Sequence, residues 1–123
     1  MTSKIIIFTD LDGTLLDRDT FKFDKILGYL KGLILKDICI IPNSSKTRQE
    51  VEVFNKELDE KLSYVVENGA AIYNLNLINS SFPEKISLSR ESEEILKVFE
   101  SKISNKFRSK CKFIKNLDIK KQM

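Results

Sequence analysis

"KIIIFTDLDGTLLD", residues Lys4 to Asp17, is the stretch on which the fold turns. The first strand reads as Lys4 to Thr9, a short continuous apolar run of the kind found in parallel sheets covered on both faces. The run ends in Asp10 and Asp12, one residue apart, followed at once by Gly13 and Thr14. Burying an unpaired carboxylate costs far more than one residue's packing returns, so either water or a cation is expected at this strand end. Residues two apart at the end of a strand point the same way. Their charges repel, and a divalent cation or a proton is the expected relief.

The same grammar recurs twice. Phe23, Ile26, Leu27, Leu30, Leu33 and Ile34 fall at the three- and four-residue intervals of an amphipathic helix after the first turn. "DICIIPNSSKTRQEV" then gives a second strand, Ile38 to Ile41, and a polar turn, Pro42 to Ser45. A helix follows with Val51, Phe54, Leu58 and Leu62 on one face, and Ser44 or Ser45 is the expected cap. "YVVENGA" is a third strand that ends in polar residues and Gly69. Alternation of strand and helix defines an α/β fold with a Rossmann-like, mainly parallel sheet.

From Ile72 the pattern changes. "AIYNLNLIN" alternates like a half-exposed strand, and "SLSRESEEILKVFESKISNKF" reads as one helix with an apolar line through Ile95, Phe99, Ile103 and Phe107. Ser89 is its expected cap and Leu88 its hydrophobic staple. A last alternation at Cys111 and Phe113 suggests another strand. The break near Asn74 divides the chain into residues 1–74, the N-terminal part of a core, and residues 75–123, the beginning of a second, α+β domain.

Three polar clusters, Asp10 to Thr14, Ser44 to Lys46 and Glu67 to Gly69, fall at the C-terminal ends of the three strands. That edge of an open α/β sheet is where ligands bind, so the clusters are expected to share one crevice. An ionised Asp10 held by a hard cation can act as a nucleophile, while a protonated Asp12 can give its proton to a leaving oxygen. Gly13 lets backbone approach a ligand closely, and Thr14 can bond to that ligand or tie the turn together. Ser44 and Ser45, with the N–H groups of the following helix start, make a phosphate-binding cradle to which Lys46 adds a point charge.

Composition narrows the chemistry. The 123 residues are 41% apolar and 32% charged, as in an ordinary globular domain. There is no histidine, which removes Ser-His-Asp catalysis and every His-ligated metal site. Cys39 and Cys111 make no metal or redox spacing, and Cys39 reads as a small core residue. No apolar stretch approaches a membrane span and the start lacks a signal peptide, so a cytoplasmic protein without a membrane partner is expected. Residues 101–123 carry 8 Lys and Arg against the single Asp118, whereas residues 1–100 carry 13 against 17 Asp and Glu. This basic stretch lacks stacking aromatics beyond Phe107 and Phe113, so an anion-facing or solvated surface is expected rather than a nucleic-acid partner.

Asp10-Leu11-Asp12-Gly13-Thr14-Leu15-Leu16 resembles the first motif of the haloacid dehalogenase superfamily. "NSSKTRQEV" and "VVENGAAIY" resemble, more narrowly, the mannosyl-3-phosphoglycerate phosphatases. The likeness covers the whole chain but only the front half of a typical member. It implies a Mg2+-dependent phosphomonoester hydrolase with a Rossmann-like core, a cap after the third strand, and a small phosphorylated sugar or glycerate as substrate. By the motif match, Asp10 is the nucleophile that forms an aspartyl-phosphate, and Asp12 is the general acid and then base. Asp10 and the Asp12 carbonyl are the metal ligands, and Ser44 hydrogen-bonds the transferring group. No glycine follows Gly69, so the family's later Gly-Asp loop is not in these residues, and Glu67 is the first candidate to replace that ligand. Another capped sugar-phosphate phosphatase and an inactive phosphate-binding relic are the alternatives.

Overall fold

In the computed structural model, which describes residues 5–113, Asn116 and Asp118, the decisive stretch is a strand followed by a tight loop. Strand β1 (Ile6–Thr9) pairs in parallel with β2 (Cys39–Pro42), Ile6 facing Cys39 and Thr9 facing Pro42. Helix α1 (Asp24–Ile34) makes the crossover between them. After β2 comes α2 (Arg48–Leu58), and then β3 (Tyr64–Val66), which joins the parallel arrangement through a bridge between Asn43 and Val65. Beyond it, β4 (Ala71–Tyr73) and β5 (Lys85–Ser87) add to β3 as antiparallel neighbours in the order β3-β4-β5.

One core cluster holds these elements. Leu11, Leu16, Phe23, Leu30, Ile40, Val51, Phe54, Leu58, Leu62, Tyr64, Val66 and Ala71 are all buried in it. Phe23 at the head of α1 meets Phe54 of α2 with ring centroids 5.0 Å apart, a tilted aromatic pair that locks the two helices over the sheet. The helical periods read from the sequence therefore point inward as expected.

Several local expectations are corrected. Helix α2 is capped by Thr47, not by Ser44 or Ser45: Thr47 accepts from the Glu50 N–H, and the Glu50 carboxylate accepts from the Thr47 N–H at 2.8 Å. That reciprocal pair satisfies two free donors at once. The strand read in "AIYNLNLIN" stops at Tyr73, because Asn74 turns into the left-handed region and a 3-10 turn follows at Leu75–Leu77. The apolar run of β1 is not covered on both faces, since Phe8 is 63% exposed and Ile5, Ile6 and Ile7 are exposed as well.

The chain divides into two compact units, Met1–Leu88 and Ser89–Met123. The first runs past the compositional break at Asn74, with β5 tied to β4 by its ladder. In the second, the long helix read from the sequence is two: α3 (Ser92–Lys102) and α4 (Asn105–Arg108). Backbone extension at Ile103 and Ser104 interrupts the run. Glu91, not Ser89, stands at the N-cap of α3, and Leu88 is exposed rather than stapled. Residues 111–113 are not a strand; Phe113 instead sets its ring edge-on to Phe99 at 5.1 Å.

Candidate active site

Leu11 is the pivot of the loop after β1. Its side chain is fully buried, while Asp10 and Asp12 on either side are exposed. The loop closes by backbone bonds: Thr14 N–H and Leu16 N–H both donate to the Leu11 carbonyl, and Gly13 N–H donates to the Leu16 carbonyl at 2.9 Å. Gly13 takes φ +74°, a conformation that costs glycine little and an L side chain much more. Thr14 thus ties the turn through its backbone.

The three polar clusters do meet. Asn43 N–H donates to the Thr9 carbonyl at 2.8 Å, which sets the second loop beside the first. Ser44 N–H donates to the Val65 carbonyl, Asn68 N–H to the Ser44 carbonyl and Glu67 N–H to the Lys46 carbonyl, so the second and third loops are laced together. Glu67 and Asn68 both hold positive φ there.

Part of the relief for the aspartate pair comes from a side-chain ammonium that the strand-end pattern did not indicate. Lys46 Nζ lies 3.2 Å from Asp12 Oδ1 and 3.6 Å from Glu50 Oε1, with only a tenth of its side chain exposed. The ammonium also sits over the Phe21 ring, 5.3 Å from its centroid. Asp10 has no side-chain partner among the described residues and faces solvent. The pair is therefore asymmetric: one carboxylate fixed, the other open.

Two parts of the expected phosphate cradle are spent elsewhere. The Glu50 N–H in the first turn of α2 and the Thr47 N–H before it serve the capping box, and the Ser44 N–H is taken by Val65. Ser44 is buried, and its hydroxyl oxygen accepts the Lys46 N–H at 3.2 Å, which leaves its own O–H as a donor. Ser45 is exposed. Among the described residues no group of three His, Cys, Asp or Glu side chains converges as a metal site, so Glu67 does not complete one with the aspartates. Thr47, Glu50 and Phe21 also take part in this arrangement. The T-x-x-E spacing signals the first two, whereas Phe21, with φ +55°, meets Lys46 only through tertiary folding.

Behind the second loop, Tyr64 donates its phenolic O–H to Glu52 at 3.2 Å, and Arg48 Nε donates to the same carboxylate oxygen at 2.6 Å. Burial, reinforced by the Glu52 charge, pushes the Tyr64 phenol up to about 12. Arg48 also stacks over Tyr73 at 4.8 Å. This group braces the first turn of α2 against β3 and β4.

Across this parallel strand, its aspartate pair and the neighbouring serine loop, residues 7–102 match the haloacid dehalogenase-like hydrolase family, to which the chain belongs. The chain is 36% identical over 114 residues to a glucosyl-3-phosphoglycerate/mannosyl-3-phosphoglycerate phosphatase of Persephonella marina, covering 86% of this chain and 42% of that protein. It is 49% identical over 70 residues to a protein of the same name from Methanococcoides burtonii, covering 57% of this chain and 26% of the relative. A mannosyl-3-phosphoglycerate phosphatase of Pyrococcus furiosus is 41% identical over 68 residues, 55% of this chain and 27% of its own length. The chain thus spans less than half the length of these relatives. Among solved structures, a haloacid dehalogenase-like hydrolase from B. subtilis superposes with a TM-score of 0.51 at 23% identity, over 82% of this chain and 34% of that one, a likeness of fold. No helix among the described residues is long and apolar enough to cross a membrane.

Proposed function

We propose that these residues build the nucleophile side of a magnesium-dependent phosphomonoester hydrolase. Its substrate is mannosyl-3-phosphoglycerate or a related sugar phosphate, and it works in the cytoplasm. The observation that carries this reading is the asymmetry of the aspartates: Asp10 is open to solvent at the end of β1, and Asp12 is held at 3.2 Å by Lys46. In this reading residues 1–74 are core and residues 75–123 begin the cap.

An Asp10 carboxylate oxygen attacks phosphorus and the bond to the sugar or glycerate oxygen breaks, with Asp12 delivering a proton to that oxygen. Water then attacks the aspartyl-phosphate, Asp12 takes the water's proton, and inorganic phosphate leaves with Asp10 restored. Ser44 O–H donates to a phosphoryl oxygen, and Gly13 keeps the loop open to the substrate. Mg2+ keeps most of its waters and takes one or two carboxylates plus substrate phosphate. The unpaired Asp10 carboxylate and the Asp12 carbonyl are hard oxygen donors of that kind and would hold it. When bound, the ion neutralises charge on the phosphoryl oxygens.

A second reading, phosphate binding without turnover by this chain alone, is favoured by the lack of a third carboxylate beside the pair among the described residues. Both are tested by measuring phosphate release from mannosyl-3-phosphoglycerate. The samples are the 123-residue chain and a chimera in which residues 7–102 replace the matching stretch of the Persephonella marina relative. The expected result is a silent chain and a magnesium-dependent chimera that Asp10→Asn silences. A chimera equally active with Asn at position 10 would overturn the nucleophile assignment.

A further inference from the structure

The second unit carries chemistry that the aspartate site does not use. We infer that a hollow between α3 and the segment after it is a binding site for a small hydroxylated oxyanion, with Arg108 as its charged anchor. The hollow measures about 290 Å3 and is lined by Phe99, Glu100, Asn105, Arg108, Ser109 and Asn116, among others. Arg108 Nε is buried and has no hydrogen-bond partner among the described residues.

Three observations converge on an anion. A buried guanidinium N–H without a partner is a donor that folding has removed from water and left unused, and a charge-assisted bond to an oxyanion is its best match. The hollow adds the side-chain amides of Asn105 and Asn116, which can give and take hydrogen bonds with hydroxyls, and the Ser109 hydroxyl, which donates to the Lys106 carbonyl at 3.1 Å and keeps its oxygen as an acceptor. The described stretch that carries it is basic: residues 101–113 hold Lys102, Lys106, Arg108, Lys110 and Lys112 and no Asp or Glu, a charge balance that concentrates anions. Glu100 also lines the hollow. Its carboxylate repels a bare dianion and accepts from a hydroxyl, which selects a ligand carrying both groups. Phe99, edge-on to Phe113, supplies an apolar wall for the carbon skeleton. A glycerate-like carboxylate meets every requirement, and a phosphate group shares the anionic part.

The site goes beyond the hydrolase reading, and its test reads binding rather than turnover. Arginine Nε–H resonances of the full 123-residue chain are followed by NMR during titration with D-glycerate, with inorganic phosphate and with glycerol, at constant ionic strength. The chain has four arginines, Arg18, Arg48, Arg90 and Arg108, so three serve as internal controls. The expected result is a saturable shift confined to Arg108 with glycerate, a weaker one with phosphate, and none with glycerol. Losing the guanidinium fork in Arg108→Lys should weaken glycerate binding about tenfold or more. Asn105→Leu leaves the charge in place and should also weaken it, which covers the case in which Arg108→Lys fails to fold. A larger response to phosphate than to glycerate would keep the anion site and overturn the hydroxyl-carboxylate preference. An unmoved Arg108 resonance, or all four moving together, would overturn the site.

Discussion

Leu11→Ala is the substitution that tests how the aspartates are placed. Leu11 is completely buried in the main core cluster, and the two carboxylates flank it in the chain. Truncating such a leucine removes its transfer free energy and leaves a cavity, together about 3 kcal/mol and up to about 5. Domains are stable by only about 5–15 kcal/mol, so the loss is a large part of the whole. In a unit the size of Met1–Leu88, about 3 kcal/mol corresponds to a Tm lower by about 12–24 °C. Urea unfolding followed by circular dichroism measures it, with Leu35→Ala as the control, because Leu35 is 86% exposed and such sites change stability by about 0.5 kcal/mol or less. If Leu11→Ala is too unstable to study, Leu11→Met keeps the volume and should cost less than about 1.5 kcal/mol. A loss below about 1 kcal/mol for Leu11→Ala would refute the idea that this side chain anchors the loop, since core truncations of leucine cost at least twice that.

Thr47→Ala should cost about 1 kcal/mol by opening the cap of α2, and Thr47→Ser should restore most of it, both read from urea midpoints. The Tyr64 phenol is held neutral in the folded state up to about 12, above its ordinary value near 10. Its contribution to stability is therefore fully present below pH 10 and lost as pH rises from 10 through 12. Absorbance of tyrosinate against pH should show one late-titrating tyrosine that disappears in Tyr64→Phe.

The sequence made the succession β1-α1-β2-α2-β3 legible because each strand is a short apolar run closed by polar residues, and each helix carries a three- and four-residue apolar spacing. The same logic located Asp10, Asp12 and Ser44 at one sheet edge. What escaped it was set by contacts between distant residues. Lys46 looked free to receive phosphate, yet folding brings its ammonium onto Asp12, a partner 34 positions away that no local pattern indicates. Three hydroxyl residues, Ser44, Ser45 and Thr47, compete to cap α2, and the carboxylate of Glu50 decides for the last. The helix drawn through Ile103 failed because apolar period persists across Ser104 while the backbone does not. Periodicity registers side chains and is blind to a break that keeps their phase.

The row of exposed apolar side chains on β1 has a consequence for how the chain is made. The residue that Ile6 pairs with, Cys39, is translated 33 positions later. At a synthesis rate of about 5–20 residues per second, roughly 2–7 s pass before a partner for "IIIF" exists. Even after β2 docks, Phe8 keeps 63% of its surface in water. A nascent strand that greasy, paired among the described residues with β2 alone, is a natural substrate for a holdase, and its yield should depend more on chaperone supply and growth temperature than on the final stability of the fold.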